Sequence, residues 1–139
     1  MVGNLREDES RQMLRDQHIG RLGCCLDSEP YVVPVSYLFE GDSIYVHSMP
    51  GRKIDTLRSN PRACLQVDNI KNTYDWKSVI AYGFFFELTD QAERRKILVR
   101  LFNHFPHLTP VESRMEANVD KAIVFCLKID GISGVYEKW

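Results

Sequence analysis

Apolar and polar residues alternate along most of this chain, and turn residues interrupt the alternation at short intervals. Residues 19–26 (Ile-Gly-Arg-Leu-Gly-Cys-Cys-Leu) and 31–39 (Tyr-Val-Val-Pro-Val-Ser-Tyr-Leu-Phe) predict two strands across the turn 27–30. Gly20 and Gly23 in the first mark a bulge or a close approach by a neighbouring segment. Pro34 has no N–H for a ladder, which sends the second strand to a sheet edge or a bulge. Glu40-Gly41-Asp42 reads as a hairpin turn into a strand over 43–47. Further strands are predicted over 62–68 and 76–88, the latter bent at Gly83, with a polar loop at 69–75 between them. Two last strands, 122–129 and 132–136, flank an Asp130-Gly131 turn.

Helical spacing appears in three places. Residues 8–17 carry acids early, arginines later and an apolar pair, Met13-Leu14. A second helix restarts the chain after Met49-Pro50-Gly51, with Ile54 and Leu57 inward, and stops at Ser59-Asn60-Pro61. The third begins at a Thr89-Asp90 cap with Glu93 three residues on, and runs to about residue 103 with Ile97, Leu98, Leu101 and Phe102 inward. Pro106 and Pro110 frame a loop after it. Six or seven strands are counted and hairpin connections dominate, so the expected fold is mainly β: an antiparallel sheet closed into a small barrel with peripheral helices, in one domain over 1–139. No repeat, low-complexity tract or linker divides it.

Composition narrows the function classes. The 139 residues are 44% hydrophobic and 27% charged, ordinary for a soluble globular chain. A formal net charge of -1 argues against a nucleic-acid binder, which needs a sustained basic face. No apolar run reaches membrane-spanning length, and the polar, acidic first ten residues are unlike a signal peptide, so the default expectation is cytoplasmic. Cys24, Cys25, Cys64 and Cys126 sit in apolar strand contexts without a C-x-x-C spacing and are expected to be buried thiols. Vicinal Cys24 and Cys25 would point to opposite faces of a strand.

The candidate chemistry lies at 44–58, a strand, a tight turn and a helix start carrying His47, Ser48, Arg52 and Lys53. A helix N-terminus presents unpaired N–H groups and the positive end of the dipole, so two cations there are unfavourable unless an anion joins them. A solvent-exposed basic turn is the plainer alternative. No serine lies in a G-x-S-x-G elbow, and no Walker or G-x-G-x-x-G sequence is present. His104 and His107 are separated by Pro106, which breaks the helical alignment a shared metal would need, and they read as surface histidines at a helix end. Most of the aromatic residues from Trp76 to Phe86 read as core. The start of that strand, Trp76-Lys77-Ser78-Val79, is placed to cover a planar ligand.

In order and spacing, Gly20-Arg21-Leu22-Gly23, Pro30 through Tyr37, Gly41 through Ser48, Gly51-Arg52-Lys53, Asn60-Pro61-Arg62-Ala63-Cys64, Trp76 through Val79 and Tyr82-Gly83 form a set. That set resembles the pyridoxamine 5'-phosphate oxidase-like flavin-binding split barrels, in the branch related to nitroimidazole-resistance proteins. The resemblance implies a six-stranded antiparallel split barrel that forms a homodimer, with FMN, or alternatively FAD, in each of two interface clefts. It implies that Val33, Pro34, Val35 and Ser36 line the flavin ring with backbone groups, and that His47 and Ser48 meet the ring or ribityl chain. It further implies phosphate binding by Arg52 and Lys53, and closure of the ring's surroundings by Trp76, Ser78 and Val79. A substrate-directed role for His47 is carried over from the nitroimidazole branch. The chain is shorter than expected for the oxidase that acts on the vitamin phosphate. Two functions follow: an FMN-dependent oxidoreductase acting on a small organic molecule, or a non-catalytic holder of a flavin, haem or other planar ligand.

Overall fold

The computed structural model describes residues 1–105 and 121–139. The first half of the chain forms β1 (Val2–Asn4), α1 (Glu7–Asp16), β2 (Ile19–Leu26), β3 (Glu29–Ser36), β4 (Leu38–Glu40) and β5 (Ser43–Ser48). Then come α2 (Arg52–Ser59), β6 (Arg62–Asn72), β7 (Asp75–Glu87), α3 (Gln91–His104) and β8 (Ile123–Lys138). All described strand pairs are antiparallel, in the order β3-β2-β6-β7-β8-β5-β4, with β1 added on β8. Six strands have six or more residues, the number the family resemblance implies, and β1 and β4 are three-residue additions. The sheet curls until β3 comes against β5, but no ladder joins them, so the barrel is split along that line.

Alternation fixes what goes inside. Leu22, Ile44, Val46, Leu65, Val67 and Val79 are fully buried and fill the barrel with Phe125 and Leu127. The acids of the first turn of α1 and Arg15 in its last turn suit the helix dipole. Its Leu14 enters the core, and the buried Tyr37 hydroxyl donates to the Leu14 carbonyl at 2.7 Å. A second apolar cluster forms outside the barrel, where Ile97, Leu98 and Leu101 of α3 meet Leu38 and Val124. The Asp90 carboxylate accepts from the Glu93 N–H at 3.0 Å, the cap expected from sequence.

Several boundaries move. The strand expected over 31–39 is two strands meeting at Tyr37, and the turn before it is only Asp27-Ser28, both with positive φ (51° and 65°). The polar segment 69–75 is not a loop. β6 and β7 extend through it as an exposed hairpin to the Asn72–Asp75 pair. The two closing strands are one 16-residue strand. Tyr82 pairs with Gly131 and Gly83 with Ile129, so Asp130 is the extra residue of a bulge. At that point a side chain on Gly83 would collide with the Lys128 carbonyl oxygen, which explains the glycine. The expected loop framed by Pro106 and Pro110, and His107, lie outside the described residues.

Candidate functional site

The split of the barrel leaves two strand edges facing one another. Beyond the Leu38–Tyr45 pair, β5 has no partner on its β4 side among the described residues, which leaves Val46, His47 and Ser48 at an open edge. Opposite it, β3 pairs only with β2 among the described strands. The bond from the Tyr37 N–H to the His18 carbonyl sets the phase of that ladder. Antiparallel alternation then turns the main-chain groups of Val32, Pro34 and Ser36 toward the open side. Pro34 has no N–H to strand there, so the proline expected at an edge or a bulge stands at an edge. Val35 is a core side chain, Val33 packs partly against the core, and the main-chain groups of both turn to β2, so neither residue borders the seam.

At one end of the seam stands α2. Its N-cap is Gly51, with no side-chain cap among the described residues, so the N–H groups of its first turn have no partner within the helix. A Cβ on Gly51 would meet nothing within 4 Å, which leaves room for a ligand to approach the backbone. Lys53 turns back from the first turn and donates to the Ser48 hydroxyl at 2.8 Å, and Ser48 donates to the Met49 carbonyl at 2.7 Å. Burial lowers the Lys53 ammonium below the ordinary lysine pKa. A partly desolvated cation beside uncapped N–H groups fits a phosphate. Arg52 does not join Lys53. Its guanidinium lies over the Tyr31 ring, 4.7 Å from the centroid, on the β3 side of the helix.

His47 goes elsewhere. Ser48 pairs with Ile123 on the barrel-core side of the sheet, whereas His47 pairs with Val124 on the side covered by α3. The imidazole is 5% exposed, edge-on to Phe102 at 5.1 Å and stacked on Phe105 at 5.7 Å. It therefore faces away from Ser48 and Lys53. Next to Phe105, His104 meets His18 (Nε2 to Nδ1, 3.2 Å), so the expected surface histidine is half-buried. Burial, then the His18 ring, lowers the His104 pKa, and Glu40 opposes them.

Nor does one chain bring Trp76, Ser78 and Val79 to the seam. Trp76 pairs with Glu137 at the far end of β7. The opposite end of β7 lies near His47, where the Leu88 N–H bonds to the Val124 carbonyl. Trp76 and Leu88 are twelve positions apart, roughly 40 Å of strand. Ser78 accepts from Gln66 Nε2 at 3.0 Å, Gln66 also donates to Asp68, and Val79 is barrel core.

Sequence reasoning missed the outward aromatics. Tyr82, Phe84 and Phe86 read as core, yet they alternate with inward Ala81, Gly83 and Phe85 and are 38%, 42% and 49% exposed. Arg62 lies 4.7 Å from the centroid of Phe84, and Lys128 Nζ lies 5.2 Å from that of Phe86. On the same face Tyr82, Cys25, Cys64 and Val32 (68% exposed) border a hollow of about 540 Å³. The four cysteines are free thiols, two buried and two half-buried. The contact of Tyr31 with Arg52 was also missed, because nothing in a strand sequence says which neighbouring helix its ring will meet. No helix among the described residues is long and apolar enough to cross a membrane.

A family model described as pyridoxamine 5'-phosphate oxidase matches residues 6–135. An uncharacterized protein of Rhizobium meliloti is 32% identical, over 94% of this chain and 91% of its own length. Among solved structures, an FAD-binding protein of Mesorhizobium loti is similar at TM-score 0.80 and 30% identity, covering 100% of this chain and 98% of that one. A candidate 5-nitroimidazole antibiotic resistance protein of Bacteroides thetaiotaomicron superposes at TM-score 0.78 with 21% identity, covering 98% and 88%. The flavocytochrome Anf3 of Azotobacter vinelandii does so at 0.76 with 21% identity, covering 99% and 70%. The last two likenesses speak to the fold alone.

Proposed function

The chain belongs to the pyridoxamine 5'-phosphate oxidase family, and from that premise we propose that it is a flavin-dependent oxidoreductase acting on a small organic molecule. The FMN moiety of the cofactor occupies the seam between β3 and β5. Its phosphate rests on the first turn of α2 and Lys53, and Arg52 lies within reach on the other side. Main-chain groups of Val32, Pro34 and Ser36 and of the end of β5 border its ring. The observation that carries this reading is the Ser48-tethered, partly buried ammonium of Lys53 beside an uncapped helix start.

A bound flavin supplies the electron transfer, and the protein supplies orientation and polarity around it. Backbone donors at a strand edge are fixed before any charge develops on a ligand, which is the preorganised arrangement that favours reduction. Ser48 holds the lysine in place. Trp76, Ser78 and Val79 are too far along β7 to close the seam of their own chain. Val79 stays in the core of its own barrel, and we assign Trp76 and Ser78 to the seam of a partner copy, in a homodimer that covers the exposed Tyr82-Phe84-Phe86 face. An exposed apolar area of this kind marks an interaction surface, and a symmetric pair is the commonest way to cover one.

The test is the visible spectrum of the purified protein, before and after adding FMN or FAD. Flavin bands at about 375 and 450 nm that stay with the protein through gel filtration are expected. A protein that remains colourless with both would overturn the reading. The seating of His47 under α3, facing away from Lys53, favours a second reading in which the site holds flavin without turnover. Oxidation of a reduced nicotinamide or deazaflavin in the presence of an acceptor, nitro compounds included, separates the two.

A further inference from the structure

The outward face of β7 is apolar along Ile80, Tyr82, Phe84 and Phe86, but a polar cluster interrupts it toward Trp76. Arg21 of β2 stands opposite Gln66 of β6, and Asp68 of β6 stands opposite Ser78 of β7. Opposed residues share a face of the sheet, as do residues two apart on one strand, so these four side chains lie together. We propose that Gln66 is a positioning residue, which fixes the Ser78 hydroxyl as a hydrogen-bond donor toward the flavin of a partner copy. The proposal rests on the homodimer reading above, in which Ser78 stands at the partner's seam.

Gln66 Nε2 lies 3.0 Å from Asp68 Oδ2 and 3.0 Å from Ser78 Oγ. A carboxylate only accepts, so the group facing it is the amide nitrogen, and the amide has one orientation. One of its N–H groups goes to Asp68 and the other to Ser78. Arg21 Nη1 donates to the same Asp68 oxygen at 3.4 Å. The Ser78 oxygen is thus an acceptor within the cluster, and its own proton goes to no described residue. Without the amide, Asp68 directly across the ladder would be the nearest acceptor for that proton. Gln66 therefore both occupies Asp68 and polarises the hydroxyl, so that Ser78 donates outward.

A polar group on a face that becomes covered must find a partner. The Gln66 nitrogen and the engaged Asp68 oxygen find theirs inside the cluster, which leaves the Ser78 proton as a donor that a covering copy has to meet. A donor held in place gains strength as negative charge develops on the group it faces. Set against a flavin, it favours the reduced form over the oxidised one, and so raises the potential of the bound cofactor.

The experiment measures the midpoint potential of FMN bound to the full-length protein, by equilibration with a reference dye, together with the affinity for oxidised FMN. Ser78→Ala should weaken reduced relative to oxidised FMN about tenfold, which lowers a two-electron potential by about 30 mV. Ser78→Thr, which keeps the hydroxyl, should hold the parent's potential. Gln66→Met and Gln66→Glu should each reproduce the Ser78→Ala shift, because Asp68 takes the serine proton in the first and the new carboxylate takes it in the second. Gln66→Met added to Ser78→Ala should shift nothing further. A glutamine that only supports the fold would lower stability or affinity and leave the potential in place. The parent's potential in Gln66→Met, or the same Gln66→Met shift with and without the serine, would overturn the positioning role. The parent's potential in Ser78→Ala would overturn the Ser78 contact, and the proposal with it, while leaving the Lys53 seam standing. A parent that binds no FMN would overturn the flavin reading itself.

Discussion

Lys53→Met removes a charge and keeps most of the side chain's length. In the parent, the ammonium is partly buried, donates to Ser48 at 2.8 Å and sits in the first turn of α2. A hydrogen bond from a cation to a phosphate is worth about 1.5–3 kcal/mol. At 1.4 kcal/mol per decade, the variant should bind FMN about 10- to 150-fold more weakly. Without flavin, the lost bond to Ser48 costs about 1 kcal/mol, and relief of a cation at the positive end of the helix returns about 0.3–1 kcal/mol. The flavin-free variant should therefore melt within a few degrees of the parent. The sign of the pH effect follows from the direction of the shift. The folded pKa lies below the unfolded one, so the unfolded chain holds the proton longer, and stability rises as pH climbs from the folded value toward about 10.5. FMN affinity should fall over the same window as the charge is lost, and both trends should vanish in the variant. Fluorescence titration at two salt concentrations and several pH values measures all of this. An affinity within twofold of the parent would refute the phosphate assignment.

Three other perturbations probe the rest of the structure. Gly83→Ala places a methyl group against the Lys128 carbonyl oxygen and should cost about 1–3 kcal/mol in urea unfolding, since backbone on a central strand cannot step aside. Unchanged stability would show that the bulge relaxes. Phe84→Glu puts a charge on the outward aromatic face and should convert a dimer to monomers in analytical ultracentrifugation, with loss of flavin affinity. A dimer that persists would move the interface elsewhere. His104 has a lowered folded pKa, so its contribution is fully present above about pH 6.5 and is lost as pH falls from there through the folded value. His104→Gln should flatten the melting-temperature profile on the acid side, and an unchanged profile would exclude the His18 contact as its source.

The start of α2 was legible in sequence because every local signal agreed: alternation ended at His47-Ser48, Pro50-Gly51 broke the chain, and Ile54 and Leu57 resumed at helical spacing. The helix start to which we assign the phosphate was therefore readable, even though Arg52 turned toward Tyr31 instead of joining Lys53. Asp130-Gly131 looked like a turn because a one-residue bulge and a reversal draw on the same residue types. Residues 69–72 looked like a loop because a solvent-exposed ribbon has no buried face to impose alternation. The outward aromatics misled for the opposite reason, since a side chain awaiting a partner surface is as apolar as one in the core. What no pattern could supply was pairing order. Only the β7–β8 register shows that Trp76 and Lys53 lie at opposite ends of the barrel.

Strand β8 is paired with β7 along most of its length, with β5 through its first half and with β1 near its end, and every one of those partners precedes it in the chain. A growing polypeptide therefore carries two unconnected pieces, the β4–β5 ribbon and the β3-β2-β6-β7 sheet, until residues 123–138 arrive to join them. At about 5–20 residues per second that last stretch takes roughly one to three seconds to make. Throughout that time the inner edges of β5 and β7 are bare and open to pairing with another chain. The seam, whose two sides belong one to each piece, comes into being only with this final addition. On the proposed reading a flavin can be captured only once β8 is in place, and a cut before residue 123 would leave two half-sheets with no seam between them.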